Sequence, residues 1–147
     1  ADEKDSKSFV TYEGKWTVNC LPEDNKECVL ERSLFLDTEM KKKLITVILQ
    51  INSISKDVRF TLISPLGTLI QSGVKIGFDG KFINEKGYGF NICRQIGCIT
   101  SMMVKKETLE KFKKSKDLNL EYIGGNGQKI NINFSLKGFY KEYQKIS

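Results

Sequence analysis

Hydrophobic and polar residues alternate along most of this chain, the period-two pattern of strands with one buried face. Trp16, Val18 and Cys20 share one side of a first strand, with Lys15, Thr17 and Asn19 on the other. That sharing assigns Trp16 to the core rather than to a ligand-stacking surface. A second strand is predicted over residues 28–36. Residues 44–53 are apolar on nearly both faces, which suggests a central strand covered on each side. Residues 58–64 alternate again, with Val58, Phe60 and Leu62 inward. Further strands are predicted at 68–71, 74–78, 88–93 and 99–104. A last hairpin spans 118–123 and 129–136, where Ile130, Ile132, Phe134 and Leu136 oppose Asn131, Asn133 and Ser135. Val18, Val47, Leu49, Phe60, Leu62, Ile132 and Phe134 are the expected core.

The turns between these strands have physical causes. In Ser64-Pro65-Leu66-Gly67, proline pre-sets φ at the second position and glycine suits the fourth position of a type I turn. Asp79-Gly80 matches a type I′ hairpin turn, in which both central residues need positive φ. One helix is expected over residues 105–114, buried through Leu109 and Phe112. About nine short strands and one short helix describe an all-β antiparallel fold, and a sandwich is favoured over a barrel. Both prolines, Pro22 and Pro65, fall at expected turns, so nothing divides the chain. The expected organisation is a flexible N-terminal segment, 1–14, and a single sandwich domain, 15–147.

The four cysteines form two close pairs, Cys20 with Cys28 and Cys93 with Cys98. Neither gap is that of a zinc knuckle or a thioredoxin-type site. An even count at loop-closing spacing points to oxidation outside the cytosol. Near-neighbour pairing is expected because short loops close with little entropy cost. A chain of 147 residues buries enough surface to fold without these bridges, which then only clip loops. The chain opens on Ala1 and a polar stretch, as a mature protein does after its signal peptide is removed. Export is therefore expected, to the periplasm or the exterior. No apolar run approaches the roughly 18 residues that span a bilayer.

A net charge of +6 raises the question of nucleic acid. Arg32, Arg59 and Arg94 are the only arginines among 24 basic residues, whereas base readout and phosphate clamping favour arginine. No nucleic-acid partner is expected. The dense cluster is Lys105, Lys106, Lys111, Lys113, Lys114 and Lys116. A solvated helix face is the plainer reading of it. If it binds, an anionic envelope surface is the natural partner.

Candidate chemistry is sparse. Histidine is absent, which excludes Ser-His-Asp and Cys-His hydrolases and zinc sites with imidazole ligands. Glu13, Glu23, Asp24, Glu85 and Glu107 have no spacing that pairs them as glycosidase carboxylates, and solvated charge is the better reading. Gly87-Tyr88-Gly89 and Gly124-Gly125-Asn126-Gly127 are turns, since neither leads from a strand into a helix as a phosphate loop must. Cys93-Arg94-Gln95-Ile96-Gly97-Cys98 is either a thiolate activated by Arg94 or a stapled turn in which Gly97 supplies the flexible position. In an exported protein the stapled turn is favoured. No catalytic residue, cofactor or metal is expected.

The order of motifs is distinctive. Trp16-Thr17-Val18-Asn19-Cys20 is followed by a second cysteine, then by Ser64-Pro65-Leu66-Gly67. Gly97-Cys98 comes after a nearby cysteine, and Phe134-Ser135-Leu136-Lys137-Gly138-Phe139 ends the series. This series resembles the invasion-associated locus B family of bacterial envelope proteins, over residues 16–139. The resemblance implies a secreted or periplasmic β-sandwich of alphaproteobacterial type with disulfides at the four cysteines. The family name is not carried over as an activity.

The expected function is that of an exported, non-enzymatic envelope protein. It would act by surface interaction with an envelope protein or an anionic surface. The alternative is a soluble module that binds a glycan or peptidoglycan fragment. A continuous apolar patch would favour the first, and a concave site with an exposed aromatic such as Tyr88 or Tyr122 the second.

Overall fold

The computed structural model describes residues 12–21, 24–35, 43–52 and 54–147. Among these, strands form two antiparallel sheets. The larger contains β1 (Tyr12–Glu13), β2 (Thr17–Leu21), β3 (Asp24–Phe35), β4 (Lys43–Ile51), β5 (Val58–Ser64), β8 (Ile92–Arg94) and β9 (Gly97–Val104). Its order is β1-β3-β4-β5-β9-β8, with β2 also paired to β3. Because β4 occupies one edge of the long β3, β1 and β2 lie end to end along the other. The smaller sheet has the order β11-β10-β6-β7, built from β6 (Lys75–Phe78), β7 (Lys81–Phe82), β10 (Asp117–Ile123) and β11 (Lys129–Ser135).

Alternation in the sequence becomes alternation in burial. Val58, Phe60, Leu62 and Ser64 of β5 are buried, as are Leu118, Leu120 and Tyr122 of β10. Of the expected core, Val47, Leu49, Phe60, Leu62, Ile132 and Phe134 are buried, and Val18 is half-buried against them. Trp16 is a core residue, with its ring edge-on to Phe139 at 5.1 Å.

Two helices close the space between the sheets. The first, α1 (Lys106–Lys114), joins β9 to β10 and buries Phe112. The Phe112 ring meets Phe60 and Phe78 edge-on at 5.0 and 4.9 Å, arrangements favoured by the ring quadrupole. The second, α2 (Phe139–Ile146), was not anticipated. Its Phe139, Tyr143 and Ile146 recur at i, i+4 and i+7, and Phe139 stacks on Phe112 at 5.4 Å.

Several expectations change. Cys20 is exposed, although its parity matches Trp16 and Val18: burial falls from Trp16 through half-buried Val18 to Cys20. β4 is an interior strand, yet its outer face is only partly covered: Thr46 is buried, Ile48 half-buried and Gln50 exposed. Its buried run through Leu44 and Ile45 comes from a register shift, which turns one extra residue inward. Residues 70–72 form a 3-10 turn rather than a strand. Tyr88 makes an isolated bridge to Val74, flanked by Gly73 and Gly87 at positive φ, so the strand predicted over 88–93 reduces to Ile92–Arg94.

The proline turn is shifted by one residue. Thr68 N–H donates to the Pro65 carbonyl, placing Gly67 (φ 94°) third, where a type II turn needs positive φ. Asp79 and Gly80, at φ 51° and 86°, form the β6–β7 turn with the signs a type I′ turn requires. Of the expected N-terminal segment, 1–14, residues 1–11 lie outside the described residues, and Tyr12 and Glu13 already pair with Phe35 and Leu34. Pro22 and Leu36 also lie outside them.

Candidate functional site

A cleft of about 360 Å³ opens where α1 crosses the end of the sandwich. Its floor is Phe60, Ile76 and Phe112, all buried. Half-buried Ile83, Tyr88, Met102 and Val104 form its walls, and Thr108 faces it from the helix. Exposed Lys105, Glu107 and Lys111 ring the mouth. The floor thus draws on β5, β6 and α1, elements far apart in the chain.

The six lysines of the cluster have different surroundings. Lys105 and Lys111 stand at the cleft, and among the described residues neither has an ion-pair partner. Lys113 lies over the rings of Tyr143 and Tyr140, at 5.1 and 5.9 Å, and 3.8 Å from Glu110. Burial, with Glu110 and Tyr140 adding to it, raises the Tyr143 pKa. Lys114 pairs with Glu110 at 3.6 Å. Lys106 is exposed on the first turn of α1. Lys116 is exposed too, and its backbone N–H donates to Asp79 Oδ1 at 2.9 Å. The same oxygen accepts the Asp117 N–H, so the Asp79 carboxylate fixes the α1–β10 junction to the β6–β7 hairpin.

Of the two aromatic candidates, Tyr88 lines the cleft and Tyr122 does not. Tyr122 is 3% exposed, and its hydroxyl donates to the Leu44 carbonyl at 2.9 Å. Glu85 and Glu107 are exposed, while the side chains of Glu13, Glu23 and Asp24 lie outside the described residues. No cluster of three or more metal-ligating side chains occurs among the described residues.

A second feature lies on the outer face of the larger sheet. Ile63, Ile99 and Ile92 are paired in register across β5, β9 and β8. Ile48 and Ile96 extend this strip along one shallow groove with Ile63. Ile92 is 46% exposed and Ile96 69%. Such cross-strand apolar rows are usually covered. The alternation of 97–104 could have shown this strip, since its isoleucine falls opposite the core-facing residues.

The disulfides join Cys20 to Cys28 and Cys93 to Cys98, each between directly opposed residues of neighbouring strands. Among the described residues no cysteine is free, so Arg94 has no thiolate beside it. Gly97, at φ 139°, closes the second loop, and a Cβ there would sit 2.2 Å from the Ser64 carbonyl oxygen. The stapled turn is therefore the form present.

No helix among the described residues is long and apolar enough to cross a membrane. No curated protein matches the sequence. The fold is similar to the crystal structure of invasion associated protein B from Bartonella henselae. The TM-score is 0.74, with 21% identity over 92% of this chain and 93% of that one. The profile of the family described as "Invasion associated locus B (IalB) protein" matches residues 16–147. With nearly the whole described sandwich inside that match, the chain belongs to the invasion-associated locus B family.

Proposed function

We propose that this protein is exported and works in the bacterial cell envelope, periplasmic or outer-membrane-facing, as a non-enzymatic protein that acts through surface interactions. The observation that carries this reading is the isoleucine strip of Ile48, Ile63, Ile92, Ile96 and Ile99, which no element of the described residues covers and whose edge the Cys93 to Cys98 bond clips. An apolar row on an uncovered sheet face fits a protein partner better than solvent. Export is supported by two disulfides whose Cys20 and Cys93 ends are exposed, and which a reducing cytosol would open. The non-enzymatic reading rests on the cleft, where Glu107 is the single carboxylate among the lining residues and no paired acid and base carboxylates face each other.

The alternative, a module for a glycan or peptidoglycan fragment, draws on Tyr88 in the cleft. It ranks second because the base of the cleft, Phe60, Ile76 and Phe112, is apolar and the polar groups stand only around it.

Fractionation of producing cells, with thiol labelling of each fraction, tests export. The expected result is an envelope pool with unreactive cysteines, and a cytosolic pool with reactive thiols would overturn it. Photo-crosslinking from position 96 in intact cells tests the strip, with position 137 as control. Defined adducts from position 96 alone are expected, and equal labelling from both positions would remove the strip from consideration.

A further inference from the structure

The cleft beside α1 is a different feature from the isoleucine strip, and it combines an apolar base with a charged mouth. Apolar side chains lie at its base, Phe60, Ile76 and Phe112, with Met102 and Val104 on the wall, while Tyr88, Thr108, Lys105, Glu107 and Lys111 make the rest of its lining polar. Its mouth holds Lys105 and Lys111, whose ammonium groups have no ion-pair partner among the described residues. The other helix lysines with contacts behave otherwise, since Lys113 and Lys114 are both engaged with Glu110. Glu107 offsets one of the two free charges and leaves the mouth net positive.

We propose that this cleft binds a single amphiphile, with its acyl chain on the Phe60, Ile76 and Phe112 floor and its anionic head between Lys105 and Lys111. The volume, about 360 Å³, falls in the lower part of the range of small-molecule sites, roughly 300–1,000 Å³. A short chain fills such a space, whereas a bulky glycan does not. An apolar floor supplies the affinity without directional demands. The lysines then select the sign of the head group, because a cationic head of equal chain length would meet repulsion at the same place. Tyr88 and Thr108 stand where the chain meets the head and offer hydroxyls to it. The anionic head could be a free carboxylate or a membrane phosphate, and the two sources are separable.

The test uses decanoate, decyltrimethylammonium and vesicles of phosphatidylglycerol, each titrated into the full chain. Decanoate is expected to bind saturably at one site and about tenfold more tightly than decyltrimethylammonium, the size two exposed charge contacts can supply. The double variant Lys105→Glu, Lys111→Glu should reverse that preference. Both substitutions are at exposed positions, so folding is preserved, and a melting curve verifies it. Thr108→Trp, which fills the cleft from the helix side, should abolish decanoate binding in an otherwise folded protein. Failure of decanoate to saturate would overturn the proposal. So would equal affinity for both head groups, or binding that survives Thr108→Trp. Vesicle binding without decanoate binding would also overturn it and return the lysines to a surface patch. Binding of decanoate together with vesicles identifies a membrane source, and binding of decanoate alone identifies a free acid.

Discussion

The indole N–H of Trp16 donates to the carbonyl of Ser135 at 2.9 Å, joining residues 119 apart in sequence. Trp16 stands just before β2 in the larger sheet, and Ser135 ends β11 in the smaller, so this bond ties the two layers together. The same carbonyl accepts Arg32 Nη1 at 2.6 Å, and the Arg32 guanidinium lies 5.4 Å from the Trp16 ring centroid. Trp16→Phe removes the donor but leaves the carbonyl satisfied by Arg32. The expected loss is about 1–2 kcal/mol, against about 3–5 kcal/mol for Trp16→Ala. Denaturant unfolding measures both, and equal losses would mean that ring packing matters less than the hydrogen bond.

Gly97→Ala should be the most damaging of the glycine substitutions at turns. Its Cβ would meet the Ser64 carbonyl at 2.2 Å and the Ile63 side chain at 2.9 Å, and the β5–β9 ladder holds both in place. A loss above about 2 kcal/mol is expected. Gly67→Ala has open space around it and only an unfavourable φ of 94°, so about 1–2 kcal/mol is expected there. Thermal unfolding of the two variants gives the order, and the reverse order would contradict this account.

The two disulfides close loops with sequence separations of 8 and 5. Loop entropy assigns each about 2–3 kcal/mol, with the longer loop contributing slightly more. Replacing either pair by serine should lower the unfolding midpoint while leaving a folded protein, because only Cys98 of the four cysteines is buried and the rest of the core lies away from the bridges. Loss of the far-ultraviolet β signal in either variant at room temperature would show that the bridge is required for folding.

Tyr122 should make the protein sensitive to alkali. Burial raises its pKa well above the ordinary tyrosine value, and Tyr143 is shifted the same way. A raised folded-state pKa means that the folded protein holds its proton more tightly than the unfolded chain. Its contribution is complete below about pH 10, the unfolded value, and falls as pH rises through the folded pKa. Tyr122→Phe should cost about 1 kcal/mol at neutral pH through the lost bond to Leu44, and should flatten the alkaline decline. Unfolding titrations from neutral to alkaline pH compare the slopes, and identical slopes would assign the decline to other groups.

Local pattern in the sequence was enough for the strands and turns whose causes are local. Val58, Phe60 and Leu62 face inward because successive strand residues point to opposite sides, and the Asp79-Gly80 turn follows from backbone sterics alone. The order of motifs around the cysteines was enough to indicate the family. The frame of the Pro65 turn and the exposure of Cys20 were not legible, since each depends on what packs beside the segment. The same holds for α2, whose short apolar stripe gains its stability by docking Phe139 on Phe112 and Trp16. Above all, the tertiary structure decided which lysines border the cleft. Six close neighbours in sequence look equivalent, but only the packing of the two sheets around α1 sets Phe60 of β5 and Ile76 of β6 beneath Lys105 and Lys111. Periodicity tells which side of a strand a residue occupies, and it carries no information about which distant residue will occupy the other side of the same cavity.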